Sequence, residues 1–135
     1  MKLENTSLIH ADHLLTATYK LVQDPKLLLG VIDHLHTFYA QALQAVLLAN
    51  GMRPLSGITG QLEQATHVLS DEQRRAIRRV DRLKSAYEAS PVSFRRKEQL
   101  VICDDSYVVS ALTEENIKKE LVLAKDLYYK LTKND

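Results

Sequence analysis

The residues best suited to chemistry are a group of arginines in the second half of the chain. At 100° per residue, a helix would carry them on one face, opposite a stripe that includes Ile77, Val80 and Leu83. A guanidinium group can form two parallel hydrogen bonds with a phosphate, so this pattern favours contact with a nucleic-acid backbone. The group comprises Arg74, Arg75, Arg78, Arg79 and Arg82, and Arg95 and Arg96 would extend it if the following segment folds back.

The same face has a second interpretation as an ordinary solvated surface. Acidic residues of the same segment offset part of its charge, and exposed ion pairs contribute little to stability. Aromatic side chains that could stack on bases are not interleaved with the arginines. The four acidic residues are Asp71, Glu72, Asp81 and Glu88. An RNA- or partner-binding face and a solvated face therefore both remain open.

The histidines could be drawn as a metal site with the two neighbouring aspartates, Asp12 and Asp33. Metal ligands must converge on one ion. Positions 34 and 36, however, lie about 200° apart around a helix and cannot do so. We therefore predict structural or surface histidines, and neither a metal site nor a cofactor. The residues concerned are His10, His13, His34 and His36.

These side chains need a scaffold, and residues 24–51 predict its spine. Apolar residues recur there every three or four positions, which is the period of one helix face. Asn50-Gly51 is expected to end this helix, since glycine readily takes the left-handed conformation. The main stripe is Leu28, Val31, Leu35, Phe38, Ala42, Ala45 and Ala49, and Leu27, Ile32, Tyr39, Val46 and Leu48 widen it.

The remaining pattern predicts an all-α antiparallel bundle of four to five helices. The first helix is expected to begin at Thr6 or Ser7, to carry Leu21 and Val22 in its stripe, and to end before Asp24-Pro25, with Asp24 capping the spine. Residues 58–89 form either one bent helix or two helices separated by the capping box of Ser70 and Gln73. Residues 98–110 predict a β-hairpin or an extended insert, and Thr113 caps the last helix.

Composition limits the kind of protein this can be. The chain has 135 residues, 45% of them hydrophobic and 26% charged, and a formal net charge of +1. These values predict a single domain over residues 1–135 with no global field that attracts nucleic acid or membranes. The single Cys103 cannot form an internal disulfide, and no signal core or membrane span is evident. We expect a cytoplasmic protein.

Four segments, in order, resemble the HEPN superfamily. They are residues 39–51 (YAQALQAVLLANG), 56–58 (SGI), 82–87 (RLKSAY) and 124–127 (AKDL), and together they span roughly residues 19–130. HEPN proteins are all-α bundles that include partners of minimal nucleotidyltransferases and many RNA-cutting toxins. The resemblance implies a homodimer and a partner that is either RNA or a protein such as a nucleotidyltransferase.

The chain departs from the nuclease members of that superfamily. Those members carry an arginine followed four to six residues later by a histidine, and no such pair occurs here. We therefore expect no catalytic residues and a non-catalytic HEPN-like binding module. The alternative is a ribonuclease or nucleotide-processing enzyme with a nonstandard site, built from Arg53 and His67 with the arginine face.

Overall fold

The computed structural model describes residues 1–89, 92–96, 99–103 and 109–133; within the strands, it describes the side chains of Val101 and Leu112 only. Its helices are α1 (Thr6–His13), which continues through a π-helical segment (Leu14–Thr18) into α2 (Tyr19–Val22), then α3 (Leu27–Ala49), α4 (Ile58–Gln64), α5 (Asp71–Ala89) and α6 (Glu114–Thr132). Counting the first three pieces as one arm, the described chain contains five helices, which confirms the predicted all-α bundle.

The first arm lies against α3, and one glycine permits the close approach. A Cβ atom added at Gly30 would lie 2.7 Å from Leu14 Cδ2, so any other residue there would displace the end of that leucine side chain. The predicted cap is wrong, since the helix begins after Asn5 without a side-chain cap. Leu21 and Val22 are also exposed rather than buried, because the arm ends at Gln23, whose φ is 54°.

The turn between the first arm and α3 is longer than the sequence suggested. Asp24 Oδ1 accepts a hydrogen bond from the Lys26 amide at 3.0 Å, which is the bond of a capping residue, and the Leu27 amide donates to the Asp24 carbonyl at 2.9 Å in a tight turn. The α-helix therefore begins at Leu27, after one tight turn.

Helix α3 is the centre of the core, as predicted. Helices α1, α4, α5 and α6 all pack against it. Its fully buried residues are Leu28, Val31, Ile32, Leu35, Phe38, Tyr39, Ala42, Leu43, Val46 and Leu47.

The predicted apolar stripe is wrong for the last residues of α3. Leu48 is 58% exposed, because it lies two residues and about 200° from the buried Val46. Ala49, in the last turn, is exposed too, and Ala45 is only half-buried. Gly51 closes the helix as predicted, with φ at 74°, and the amides of Gly51 and Met52 donate to the carbonyls of Leu48 and Leu47.

Two further caps are confirmed. The Gln73 amide donates to Ser70 Oγ at 3.1 Å while the Ser70 amide donates to Gln73 Oε1 at 2.9 Å, so α4 and α5 are separate helices joined by a turn. Thr113 Oγ1 accepts a hydrogen bond from the Asn116 amide at 3.1 Å and caps α6.

A three-stranded antiparallel sheet lies between α5 and α6 in the chain. It consists of β1 (Val92–Arg96), β2 (Gln99–Cys103) and β3 (Val109–Leu112), in that order. Phe94 pairs with Val101, and Val101 pairs with Ala111. The turn predicted at residues 104–106 lies outside the described residues, so the hairpin near 98–110 stays a prediction.

Candidate nucleic-acid interface on helix α5

Helix α5 carries the arginine group and is oriented by its apolar side. Ala76, Ile77 and Val80 are buried, and α5 packs against α3 and α6. Because α5 is amphipathic, its arginines lie on the side of the helix that faces away from the core. The structure divides this group into two arginines with fixed partners and three without them.

Arg79 holds α5 to α6 through an ion pair. Its Nη2 lies 3.0 Å from Glu120 Oε1, and its Nε lies 3.2 Å and 3.4 Å from the two carboxylate oxygens. The Glu120 side chain is only 10% exposed, so it needs a cationic partner. Arg79 is therefore engaged within the fold.

Arg74 is the second arginine with an internal partner. Its guanidinium contacts the Asp71 carboxylate one turn earlier on α5, and its side chain is 17% exposed. Its Nε is buried without a hydrogen-bond partner among the described residues. Arg74 is thus a poor candidate for contact with an external phosphate, although the sequence placed it in the binding face.

Arg75, Arg78 and Arg82 form the row that remains, which we call the arginine row. All three are exposed. No ion pair joins any of them to another described residue. Neighbours three or four residues apart on a helix have Cβ atoms about 5–6 Å apart, so the row presents three adjacent guanidinium groups along one line.

Three of the four acidic residues expected to offset the arginines have partners outside the arginine row. Asp71 contacts Arg74, Asp81 Oδ1 lies 2.9 Å from His36 Nε2, and Glu88 Oε1 lies 3.4 Å from Lys84 Nζ. In the described part of the chain, this leaves the row less neutralised than the sequence suggested.

Arg95 and Arg96 lie in β1, where they pair in register with Leu100 and Gln99 of β2. Their side chains lie outside the described ones. Their part in the binding face therefore stays a prediction.

A set of polar contacts between α3 and α5 was not anticipated. Lys84 Nζ lies 3.0 Å from Asp33 Oδ1, and the Tyr87 hydroxyl donates to the same carboxylate. The hydrogen bond with Asp33 raises the pKa of Lys84 above its usual value. With the His36–Asp81 bond, these contacts fix the rotation of α5 on α3 and so aim the arginine row outward.

The remaining histidine positions do not assemble a metal centre. The rings of His10 and His34 meet edge to face, with centroids 5.4 Å apart. Asp12 Oδ1 lies 2.6 Å from Lys125 Nζ, so this carboxylate serves a contact between α1 and α6. The described residues contain no group of three or more histidine, cysteine or acidic side chains that could hold a metal ion.

The alternative enzyme site would combine Arg53 with His67. The Arg53 carbonyl accepts a hydrogen bond from Nε2 of Gln64 at 2.9 Å, and Gln64 lies three residues before His67 in the chain. Both side chains are exposed, and no hydrogen bond joins them among the described residues. The structure therefore offers no fixed pair of catalytic groups there.

Comparison with known protein families, curated proteins and solved structures found no match. Among the described residues, none of the helices is both long and apolar enough to cross a bilayer.

Proposed function

We propose that this protein is a non-catalytic binding module that contacts RNA phosphates through Arg75, Arg78 and Arg82. The observation that carries the proposal is that these three guanidinium groups are exposed and have no ion-pair partner among the described residues. The other two arginines of α5 are engaged within the fold, so the binding face is narrower than the sequence suggested.

The chemistry of the row favours phosphates over bases. Guanidinium groups bind phosphate oxygens with two hydrogen bonds and a full charge, and such contacts are independent of sequence. The row includes no aromatic side chain on which a base could stack. Binding should accordingly show little sequence preference and strong salt dependence.

The proposal assigns binding rather than cleavage to this face. Phosphodiester hydrolysis needs a general acid or base within hydrogen-bond reach of the reacting atoms. Among the described residues, no histidine or carboxylate forms an ion pair with any of the three arginines.

A HEPN-like homodimer in the cytoplasm is part of the same proposal. Val122 and Tyr129 lie seven residues apart on α6, which is two helical turns on one face, and both are exposed. Exposed apolar side chains in such a row are a common feature of interfaces between copies. Analytical ultracentrifugation of the wild type and of a Val122→Ser, Tyr129→Ser variant tests the dimer.

The RNA proposal is tested with a fluorescent single-stranded RNA by anisotropy. The variant R75Q/R78Q/R82Q removes three charges from the arginine row. The matched control K2Q/K20Q/K26Q removes three charges from exposed lysines in the first part of the chain. We expect the first variant to bind at least about tenfold more weakly, and the control to change much less.

Two outcomes would contradict the proposal. Equal losses in the two variants would mean that net charge, rather than the arginine row, attracts RNA. If the wild type does not bind RNA, a protein partner such as a nucleotidyltransferase becomes the better proposal. Gel analysis of the same mixtures should show intact RNA, and cleavage that Arg53 or His67 variants abolish would favour the enzyme.

A further inference from the structure

A small pocket lies where α3, the start of α5 and the end of α6 meet. Its volume is about 110 Å³, and Ala76 and Leu127 form part of its wall. An apolar cavity of about 150 Å³ holds a benzene molecule, and one water takes about 30 Å³ of liquid volume. The pocket therefore has room for a group of roughly five non-hydrogen atoms.

One lining residue has an unmet hydrogen-bonding need. Tyr39 is 1% exposed, and its hydroxyl has no hydrogen-bond partner among the described residues. A buried hydroxyl without a partner is costly, so it favours a ligand that can supply one. Burial and, after it, the nearby Glu120 carboxylate raise the pKa of Tyr39 well above its usual value. The hydroxyl accordingly keeps its proton at neutral pH and can donate it to an acceptor.

The other polar side chains of the pocket carry both signs of charge. Glu72 and Asp126 are acidic, and Lys130 is basic. None of the three has an ion-pair partner among the described residues. A ligand with one positive charge would leave Lys130 without a counter-charge, and one with one negative charge would leave the two carboxylates without one.

We infer that this pocket binds a small zwitterion the size of the smallest α-amino acids, with its carboxylate on Tyr39 and Lys130 and its ammonium near Glu72 and Asp126. Such a ligand satisfies the buried hydroxyl, and its two charges complement those of Glu72, Asp126 and Lys130. The volume of the pocket suits a ligand with at most a methyl side chain. The inference is independent of the RNA proposal, because none of these residues belongs to the arginine row.

The test is calorimetric titration of the full chain with glycine and with L-alanine. Ligands with so few atoms bind weakly, so the titrations should extend to about 20 mM. We expect saturable binding of one or both amino acids. Propionate and ethylamine, which carry one charge each, and leucine, which is too large, should bind at least about tenfold more weakly.

Three variants test which residues hold the ligand. Y39F should lower the affinity about tenfold, because one hydrogen bond to a charged group is lost. It should melt no lower than the wild type, since an unpaired buried hydroxyl is removed. K130Q should weaken binding similarly, and K133Q, an exposed lysine near the same helix end, should not. If Y39F does not fold, the comparison of K130Q with K133Q decides.

The inference is overturned if neither amino acid binds at concentrations up to 20 mM, because the pocket would then hold only water. It is equally overturned if propionate or ethylamine binds as tightly as glycine. Unchanged affinity in both Y39F and K130Q would place any amino-acid binding elsewhere on the protein.

Discussion

At the scale of single residues, Glu120 shows how one side chain decides the role of another. It lies between Ile117 and Leu121 in the buried stripe of α6, and it gives Arg79, whose side chain is 48% exposed, a fixed partner within the fold. The sequence showed that Glu120 lies within the apolar stripe of α6. This position indicated that Glu120 would need a cationic partner on a neighbouring helix. The sequence did not show which arginine would pair with Glu120, because 41 residues separate Arg79 from Glu120.

Loss of this ion pair should lower stability. Arg79→Met leaves the buried Glu120 carboxylate without its cation, at a cost of about 1–3 kcal/mol. Arg78→Met, one position away but exposed and unpaired, is the matched control and should change the free energy of unfolding by less than about 0.5 kcal/mol. Urea denaturation measures both values. Equal effects in the two variants would refute the role given to Arg79.

The Asp33–Lys84 contact should show in the pH dependence of stability. Its hydrogen bond raises the folded-state pKa of Lys84 above the ordinary value of 10.5. The contribution is therefore complete below about pH 10.5 and is lost as the pH rises through the folded-state pKa. Denaturation of the wild type and Lys84→Met should give curves that converge above that pH. A constant difference from pH 8 to 11.5 would contradict this.

At the scale of elements, the sequence predicted helix ends correctly where a nearby residue caps or closes the helix. The capping box at Ser70 and Gln73, the cap at Thr113 and the glycine at position 51 were all predicted from residues within one turn of the helix end. The first helix begins at Thr6, as predicted, but without the predicted side-chain cap, and α3 begins only at Leu27, because a tight turn follows Asp24 and Pro25. The sequence pattern did not show this extra turn.

The capping box can be tested by removing one hydroxyl. Ser70→Ala deletes the acceptor of the Gln73 amide and should lower the free energy of unfolding by about 1 kcal/mol. Ser56→Ala, in the exposed loop before α4, provides the control and should have an effect near zero. A Ser70→Ala protein as stable as the control would mean that the reciprocal hydrogen bonds contribute nothing.

The spine helix offers a matched pair of leucines. Leu35 is fully buried, so Leu35→Ala should cost about 2–5 kcal/mol through lost transfer energy and the cavity left behind. Leu48 is largely exposed on the same helix, and Leu48→Ala should cost less than about 0.5 kcal/mol. Thermal and urea melts of both variants give the comparison. Similar costs would place Leu48 in an interface, such as one between two copies.

At the scale of the whole molecule, the sequence predicted the helical bundle but not the contacts that orient it. Lys84 and Asp33 are 51 residues apart, and His36 and Asp81 are 45 apart. Periodicity reports which face of a helix is apolar, but it contains no information about which polar groups meet across two helices. The sequence therefore grouped five arginines on one face, and the structure separates Arg79, which pairs with Glu120 of α6, and Arg74, which contacts Asp71 within α5, from the other three.

The pocket at Tyr39 has the same origin. Its walls come from three helices that are far apart in the chain, and the unpaired hydroxyl is evident only once those helices have packed. From the sequence, Tyr39 was one more apolar position in the spine. That interpretation was correct for its ring, which is buried, and it missed the hydroxyl group.

The measurement that tests the central claim most directly is the salt dependence of RNA binding. Each phosphate that an arginine neutralises releases a counterion, with a slope near −0.7 per contact on a single strand. The plot of log affinity against log salt for R75Q/R78Q/R82Q should be flatter than that of the wild type by about 2, whereas R74Q/R79Q should keep the wild-type slope. A wild type with no measurable affinity at any salt, or a triple variant with an unchanged slope, would contradict the account.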